Sequence, residues 1–125
     1  MNSEKVIFGF FIVLALTLNV AFVVGDFASP EYHNIWLLVA AVVVNLIATA
    51  LKLGDRSQVG ALLLATALVA DLQLLASATI WTFANDTNGL DPGTLVTIIS
   101  LATGALVANV VSVTLLVSDS LMSGR

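Results

Sequence analysis

The stretch IWLLVAAVVVNLIATALKLGDRSQVGALLLATALVADLQLL, residues 35–75, decides the fold of this chain. Two long apolar runs flank the short polar segment KLGDRSQ (52–58), in which Gly54 is a typical helix stop. Each run approaches the roughly 20 residues that an α-helix needs to cross a bilayer. Because the connection is so short, the two helices should be antiparallel neighbours, and the stretch predicts a transmembrane hairpin.

A further apolar run lies on each side of this hairpin. The sequence therefore predicts an all-α membrane protein, a bundle of four transmembrane helices that forms a single domain over residues 1–125. Both Ser29-Pro30 and Asp91-Pro92 predict helix starts, because a capping side chain precedes a proline at the first helical position. We expect the spans at about 4–27, 30–53, 58–84 and 92–118.

The composition excludes several classes of protein. Hydrophobic residues make up 59% of the chain and only 10% are charged, whereas a soluble domain carries about 25% charged residues. The chain has no cysteine and a single histidine, His33, so neither a thiol nucleophile nor a metal site is expected. A net charge of −4 argues against nucleic-acid binding. We expect a protein that is not an enzyme and needs no cofactor.

The basic residues predict the orientation in the membrane. The segments between the first and second spans and between the third and fourth contain no Lys or Arg. All basic residues therefore fall on one side, which the positive-inside rule makes cytoplasmic, with both termini there. These residues are Lys5, Lys52, Arg56 and Arg125.

Each span repeats one short pattern, an alanine followed four residues later by Asn or Asp. It occurs as ALTLN (15–19), AVVVN (41–45), ALVAD (67–71) and ALVAN (105–109). The pattern predicts two related hairpins in tandem, although chance is an alternative among spans that are rich in Ala, Leu and Val. A pseudo-twofold bundle would bring Asn19 towards Asp71 and Asn45 towards Asn109.

Asp71 is the most informative of these polar residues. An acid at the centre of a membrane helix costs about 2.5–3.5 kcal/mol to insert, and such residues often mark ion or proton paths. One interpretation is a cation or proton site formed by Asp71 with Asn19, Asn45 and Asn109. The other is structural, in which a neutral acid and three amides hold helices together at about 0.6–2 kcal/mol per contact.

Two further features predict helix contacts. A second polar stripe on the third span, Thr66, Gln73 and Ser77, points away from Asp71, since Gln73 lies about 200° around the helix from it. A monomer would then expose one stripe to lipid, which favours a homo-oligomer or a partner subunit. The fourth span carries a strip of small residues that allows close helix approach, either within one bundle or between protomers. The strip consists of Ser100, Gly104, Ala108 and Ser112.

The runs VVVNLIATALKLGDRSQVGALLLATALVADLQ (42–73) and ALVANVVSVTLL (105–116) resemble a family of small four-span bacterial membrane proteins of uncharacterised function. Genes of this family neighbour potassium-channel-type genes. The resemblance implies a multi-pass protein of the bacterial inner membrane and an accessory role beside a cation channel. We therefore expect a self-associating or accessory subunit of an ion channel or transport complex. The alternative is a small oligomeric cation or proton channel or transporter that uses the Asp71 site.

Overall fold

The computed structural model describes residues 3–24, 35–55, 57–87 and 91–123. Within these residues the chain forms four α-helices and no strand, and every helix is long and apolar enough to cross a membrane. The predicted all-α, four-span membrane fold is therefore confirmed. The helices are α1 (Ser3–Val23), α2 (Ile35–Lys52), α3 (Gln58–Thr87) and α4 (Pro92–Ser123).

The helices form an antiparallel ring in which each one packs against two others. Along the chain, α1 packs on α2, α2 on α3 and α3 on α4, and α4 returns to α1. Consequently α1 lies diagonally opposite α3, and α2 lies diagonally opposite α4. Contacts between Lys5 and Asp119, and between Lys52 and Phe8, bring the start of α1, the end of α2 and the end of α4 together. We call this the basic end and the opposite one the far end.

The turn between α2 and α3 is fixed by short-range hydrogen bonds. The Asp55 carboxylate accepts from both the backbone N–H (2.9 Å) and the hydroxyl (2.7 Å) of Ser57, whose oxygen in turn accepts from the N–H of Gly60 (2.9 Å). The two bonds from Ser57, with its hydroxyl first, lower the pKa of Asp55. A Cβ at Gly60 would collide with the Asp55 carboxylate, so glycine is what lets the turn close this tightly.

Asp91 caps the start of α4, as its position before Pro92 predicts. Its carboxylate accepts from the backbone N–H of Thr94 at 2.7 Å, and this bond is the main reason that the pKa of Asp91 is lowered. A lowered pKa means that the cap stabilises the folded form fully well above pH 3.8, the ordinary value, and loses that effect as the pH falls through the lower folded value. The capping prediction at Ser29-Pro30 lies outside the described residues.

We expect Asp91→Ala to lower the thermal unfolding midpoint at neutral pH by a few degrees, since an N–H at the helix start loses its acceptor. Asp91→Asn is the matched control, because it keeps an acceptor but removes the charge. Thermal circular dichroism in detergent between pH 2 and 7 measures both. The wild-type advantage over Asp91→Ala should shrink towards that of Asp91→Asn as the pH falls below 3.8, whereas the midpoint difference between Asp91→Asn and Asp91→Ala should not change with pH. A wild-type advantage that did not shrink between pH 7 and pH 2 would contradict the assignment.

The apolar side chains divide into an interior and a lipid-facing surface. The interior holds two clusters. The far-end cluster includes Phe22, Leu38, Leu74, Leu95 and Ile98, and the basic-end cluster consists of Phe8, Ile12, Ala48 and Leu63. Large apolar side chains also cover the outside, as a bilayer requires of helices that cross it. The most exposed include Phe10, Trp36, Leu53, Leu72, Phe83, Leu121 and Met122.

Candidate intramembrane polar site

Asp71 lies inside the bundle on the face of α3 that meets α2. Its side chain is only 6% exposed, and one carboxyl oxygen, Oδ2, accepts from the hydroxyl of Thr49 on α2. The other oxygen, Oδ1, is buried and has no hydrogen-bond partner among the described residues. A buried polar atom without a hydrogen-bond partner carries a free-energy cost. This oxygen therefore points to a binding site rather than to a purely structural contact.

Thr49 was not predicted from the sequence as part of the site. Its hydroxyl also donates to the backbone carbonyl of Asn45 at 2.9 Å, one turn earlier in α2. Threonine commonly satisfies itself in this way within a helix, so the residue alone gives no functional signal. Side chains lean towards the N-terminus of their helix, and α2 and α3 are antiparallel. Thr49 and Asp71 therefore lean towards each other.

Asn45 is fully buried on the same face of α2 as Thr49. Its amide nitrogen donates to the backbone carbonyl of Ala41 at 3.0 Å. Its amide oxygen, Oδ1, is buried and has no partner among the described residues. Asn45 thus resembles Asp71 in presenting an unused oxygen acceptor to the interior.

Asn19 on α1 forms hydrogen bonds to α4. With its amide oriented so that both ends are satisfied, its nitrogen donates to the carbonyl of Ala102 at 3.0 Å. Its oxygen accepts from the side-chain nitrogen of Asn109 at 3.2 Å and from the N–H of Leu106 at 3.2 Å. The oxygen of Asn109 is buried without a described partner. We call Asn19, Asn45, Thr49, Asp71 and Asn109 the polar layer.

The hydrogen bonds of the polar residues differ from the pairs that a pseudo-twofold bundle would bring towards each other. The structure joins Asn19 to Asn109 and Asp71 to Thr49, instead of Asn19 to Asp71 and Asn45 to Asn109. Both predicted pairs lie on diagonal helices, whereas hydrogen bonds form between helices that are in direct contact. All four residues of the pattern are nevertheless buried, and so is the alanine one turn before each of them. The duplicated hairpin itself stays a prediction.

The second polar stripe of α3 faces α4 rather than lipid. Thr66 shares a hydrogen bond with Ser112, and the hydroxyl of Ser77 donates to the carbonyl of Ile98 at 3.0 Å as well as to its own helix. Because α3 packs on α2 at one side and on α4 at the other, it can turn Asp71 and this stripe inwards at once. The expectation that a monomer exposes one stripe is therefore wrong.

The small-residue strip of α4 lies largely within the same interface. Gly104 packs against the amide of Gln73, and a Cβ at Gly104 would come within 2.6 Å of the Gln73 nitrogen. Ala108 and Ser112 are buried, but Ser100 at the far-end side of the strip is exposed. Of the two alternatives that the sequence left open, the structure shows packing within one bundle for Gly104 and Ser112.

The unpartnered atoms of the interior share one chemical property. The buried side-chain atoms without a described partner are all oxygens, on Asn45, Asp71, Gln73 and Asn109. Oxygen acceptors of this kind bind water, a proton or a hard cation. The described residues contain no group of three or more His, Cys, Asp or Glu side chains that could hold a metal ion. The chemistry open to the polar layer is therefore the binding of a proton or of a small cation with few charged ligands.

Apolar side chains close the polar layer at both ends. Phe22, Leu38 and Leu74 of the far-end cluster are fully buried on one side. Phe8, Ile12 and Leu63 of the basic-end cluster are almost fully buried on the other. An aqueous path through the bundle would need polar or small residues at these positions. The described bundle therefore holds an occluded site and not an open pore.

A cleft of about 380 Å³ opens at the basic end of the bundle. It is lined by two ion pairs, Lys5 with Asp119 at 3.7 Å and Lys52 with Asp55 at 3.4 Å. The Lys52 ammonium also lies 4.4 Å from the centre of the Phe8 ring, in cation–π geometry. Leu63 of the basic-end cluster also lines this cleft. The cleft therefore reaches the apolar side chains that close the polar layer on the basic-end side.

Comparison with known protein families assigns the chain to one of them. The model of DUF6394, a family of unknown function, matches residues 32–120, and the chain belongs to this family. No curated protein and no solved structure matches it significantly. The match covers both stretches on which the sequence resemblance rests. Membership brings no activity with it, so the function has to be argued from the polar layer.

Proposed function

We propose that this member of the family is a non-enzymatic integral membrane subunit of an ion channel or transport complex, which binds a proton or small cation at Asp71. The observation that carries the proposal is the buried Asp71 carboxyl, which has one partner, Thr49, and one oxygen without any described partner. An acid of this kind inside a membrane bundle is a functional site by default, because a purely structural contact would be cheaper with an amide.

The occluded layer favours a subunit over a self-contained channel. A single bundle with apolar clusters at both ends of the site offers no continuous path for an ion. A site that is closed within one protomer can still bind a proton or ion and change how that protomer meets a neighbour. The partner in this proposal is a second copy of the chain or a separate channel or transporter, which the apolar outer surface would meet within the bilayer.

The proposed location is the bacterial inner membrane, with the basic end in the cytoplasm. In support, Lys5 and Lys52 occupy the same end of the bundle, as the positive-inside rule requires of cytoplasmic residues. Arg56 and Arg125 lie outside the described residues. The proposal that the protein is not an enzyme rests on the composition, with no cysteine and one histidine.

Co-purification and ion flux together test the proposal. The full chain should co-purify from native membranes in mild detergent with copies of itself or with a channel or transporter. The purified complex in liposomes should carry a cation or proton flux that falls about tenfold or more in Asp71→Asn, since the amide cannot release a proton or carry charge. Asp91→Asn is the matched control, because it removes an exposed acid at the far end and keeps its cap.

Each result decides between the two roles. A monomer that recovers no partner from native membranes would contradict the subunit proposal. Flux by the purified chain alone, lost in Asp71→Asn, would instead support the alternative of a small oligomeric channel or transporter. Equal flux through the wild-type complex and through the complex that carries Asp71→Asn would show that the carboxyl has no part in transport.

A further inference from the structure

The hydroxyl of Thr49 has too few hydrogens for an ionised Asp71. It contacts two acceptors, the carbonyl of Asn45 at 2.9 Å and the Oδ2 atom of Asp71, but it carries one hydrogen. With a carboxylate at Asp71 the two acceptors must share that hydrogen. With a proton on Oδ2, the acid donates to Thr49 and Thr49 donates to Asn45. Both contacts are then complete hydrogen bonds.

Among the described residues, no countercharge lies beside Asp71 to favour a carboxylate or to share a metal ion. On the helices packed around it, the described charged side chains are Lys5 of α1, Lys52 of α2 and Asp119 of α4, all at the basic end. Asp91 lies at the far end, before α4 begins. An unpaired charge in the low-dielectric interior is far more costly than a neutral acid. The geometry therefore suits a proton better than a metal cation.

The basic-end cleft approaches this acid along both α2 and α3. Thr49 lies one turn before Lys52, which lines the cleft. On α3, Leu63 lines the cleft as well, and it packs with Ala48, the residue next to Thr49. Residues 63, 67 and 71 follow one another at four-residue intervals along one face of α3. Between Leu63 and Asp71 on that face lies only the small side chain of Ala67.

We propose that Asp71 is a proton-binding site that exchanges with the solution at the basic end through this cleft, and that Leu63 is the barrier to the exchange. The inference rests on the proposed function, since it names the ligand of the same site and its route. On release, the O–H bond at Oδ2 breaks and the proton passes to a water molecule that enters past Leu63, forming hydronium. The remaining carboxylate accepts the hydrogen of Thr49, which turns away from the Asn45 carbonyl.

Infrared spectroscopy of the full chain in lipid vesicles tests this directly. The wild type at neutral pH should show a carbonyl stretch of a protonated carboxylic acid that is missing in Asp71→Asn. Transfer to D₂O should shift this band at a measurable rate. We expect Leu63→Ala to speed the shift by about tenfold, because the seal over the route is reduced to a methyl group. Leu68→Ala, a substitution of a lipid-exposed leucine on the same helix, should leave the rate unchanged.

A second pair of variants tests the geometry even if Leu63→Ala fails to fold. Thr49→Val removes the partner of the acid and should move its carbonyl band to the frequency of a weaker hydrogen bond. Thr49→Ser keeps the hydroxyl and should restore the wild-type frequency. An Asp71 band that did not respond to Thr49→Val would overturn the hydrogen-bond assignment.

Other results would overturn the inference without touching the subunit proposal. A wild-type spectrum with a carboxylate band at Asp71 that shifts when sodium or potassium chloride is added would mean a cation site. A deuterium shift that is equally fast in the wild type, Leu63→Ala and Leu68→Ala would remove Leu63 as the barrier. Conversely, a protonated Asp71 with the expected exchange in a chain that recovers no partner would support the inference and sink the proposed subunit role.

Discussion

Replacing Asp71 with leucine is expected to make insertion of α3 into a membrane more favourable by about 3–4 kcal/mol. The acid costs about 2.5–3.5 kcal/mol at a helix centre and leucine contributes roughly −0.5 kcal/mol on the same scale. The same substitution removes the bond to Thr49, so the association of the inserted helices should weaken by about 1 kcal/mol. The substitution thus favours insertion of α3 and disfavours association of the inserted helices.

The two steps are measured separately. An insertion assay with the α3 segment between reporter glycosylation sites gives the apparent insertion free energy, and unfolding of the full chain in bicelles gives the association term. Asp71→Asn is the control, since it retains a donor for Thr49 and should lose little of the association energy. Higher resistance to unfolding in Asp71→Leu than in the wild type would show that Thr49 and Asp71 do not form a favourable contact.

Gly104→Leu is expected to destabilise the folded bundle by about 3 kcal/mol. A single Cβ at this position would meet the movable amide of Gln73 at 2.6–2.9 Å, whereas the whole side chain of leucine would force α3 and α4 apart. That separation would also stretch the contacts of Thr66 with Ser112 and of Ser77 with the Ile98 carbonyl. We expect the change mainly in the thermal midpoint, with helix content largely retained, because inserted helices stay helical.

Ser100→Leu provides the matched control for this substitution. Ser100 belongs to the same strip, one turn away on α4, but it is exposed, so leucine there should leave stability almost unchanged. Gln73→Ala should relieve part of the clash when combined with the milder Gly104→Ala, and this coupling identifies the amide as the obstacle. Equal effects of leucine at both positions would contradict the proposed interface.

The sequence predicted the architecture because its signals are strong and local. Each apolar run demanded a membrane helix, and Gly54 and Asp91 marked where helices stop and start. The inward position of Asn19, Asn45, Asp71 and Asn109 was equally accessible, since polar groups in apolar runs avoid lipid. These inferences need only the period of the helix and the cost of burying a polar group.

The partners within the bundle were not accessible in the same way. Pairing depends on which helices touch and on how their side chains lean, and a pattern along one chain contains neither. Thr49 illustrates the difficulty, because a threonine in a membrane helix usually bonds its own backbone and gives no sign of a contact with another helix. The angle between Gln73 and Asp71 suggested that a monomer would expose one polar stripe to lipid, although a helix with two neighbours has two inward faces.

The two apolar clusters differ in extent, and this difference sets where we expect the bundle to open locally. Among the described residues, the far-end cluster joins twelve buried side chains, whereas the basic-end cluster joins four. Local opening starts where the fewest apolar contacts have to be given up, so fluctuations should begin around Phe8 and Leu63 rather than around Phe22. We therefore expect the far-end half of the bundle to keep its shape while the basic-end half opens more readily and admits water.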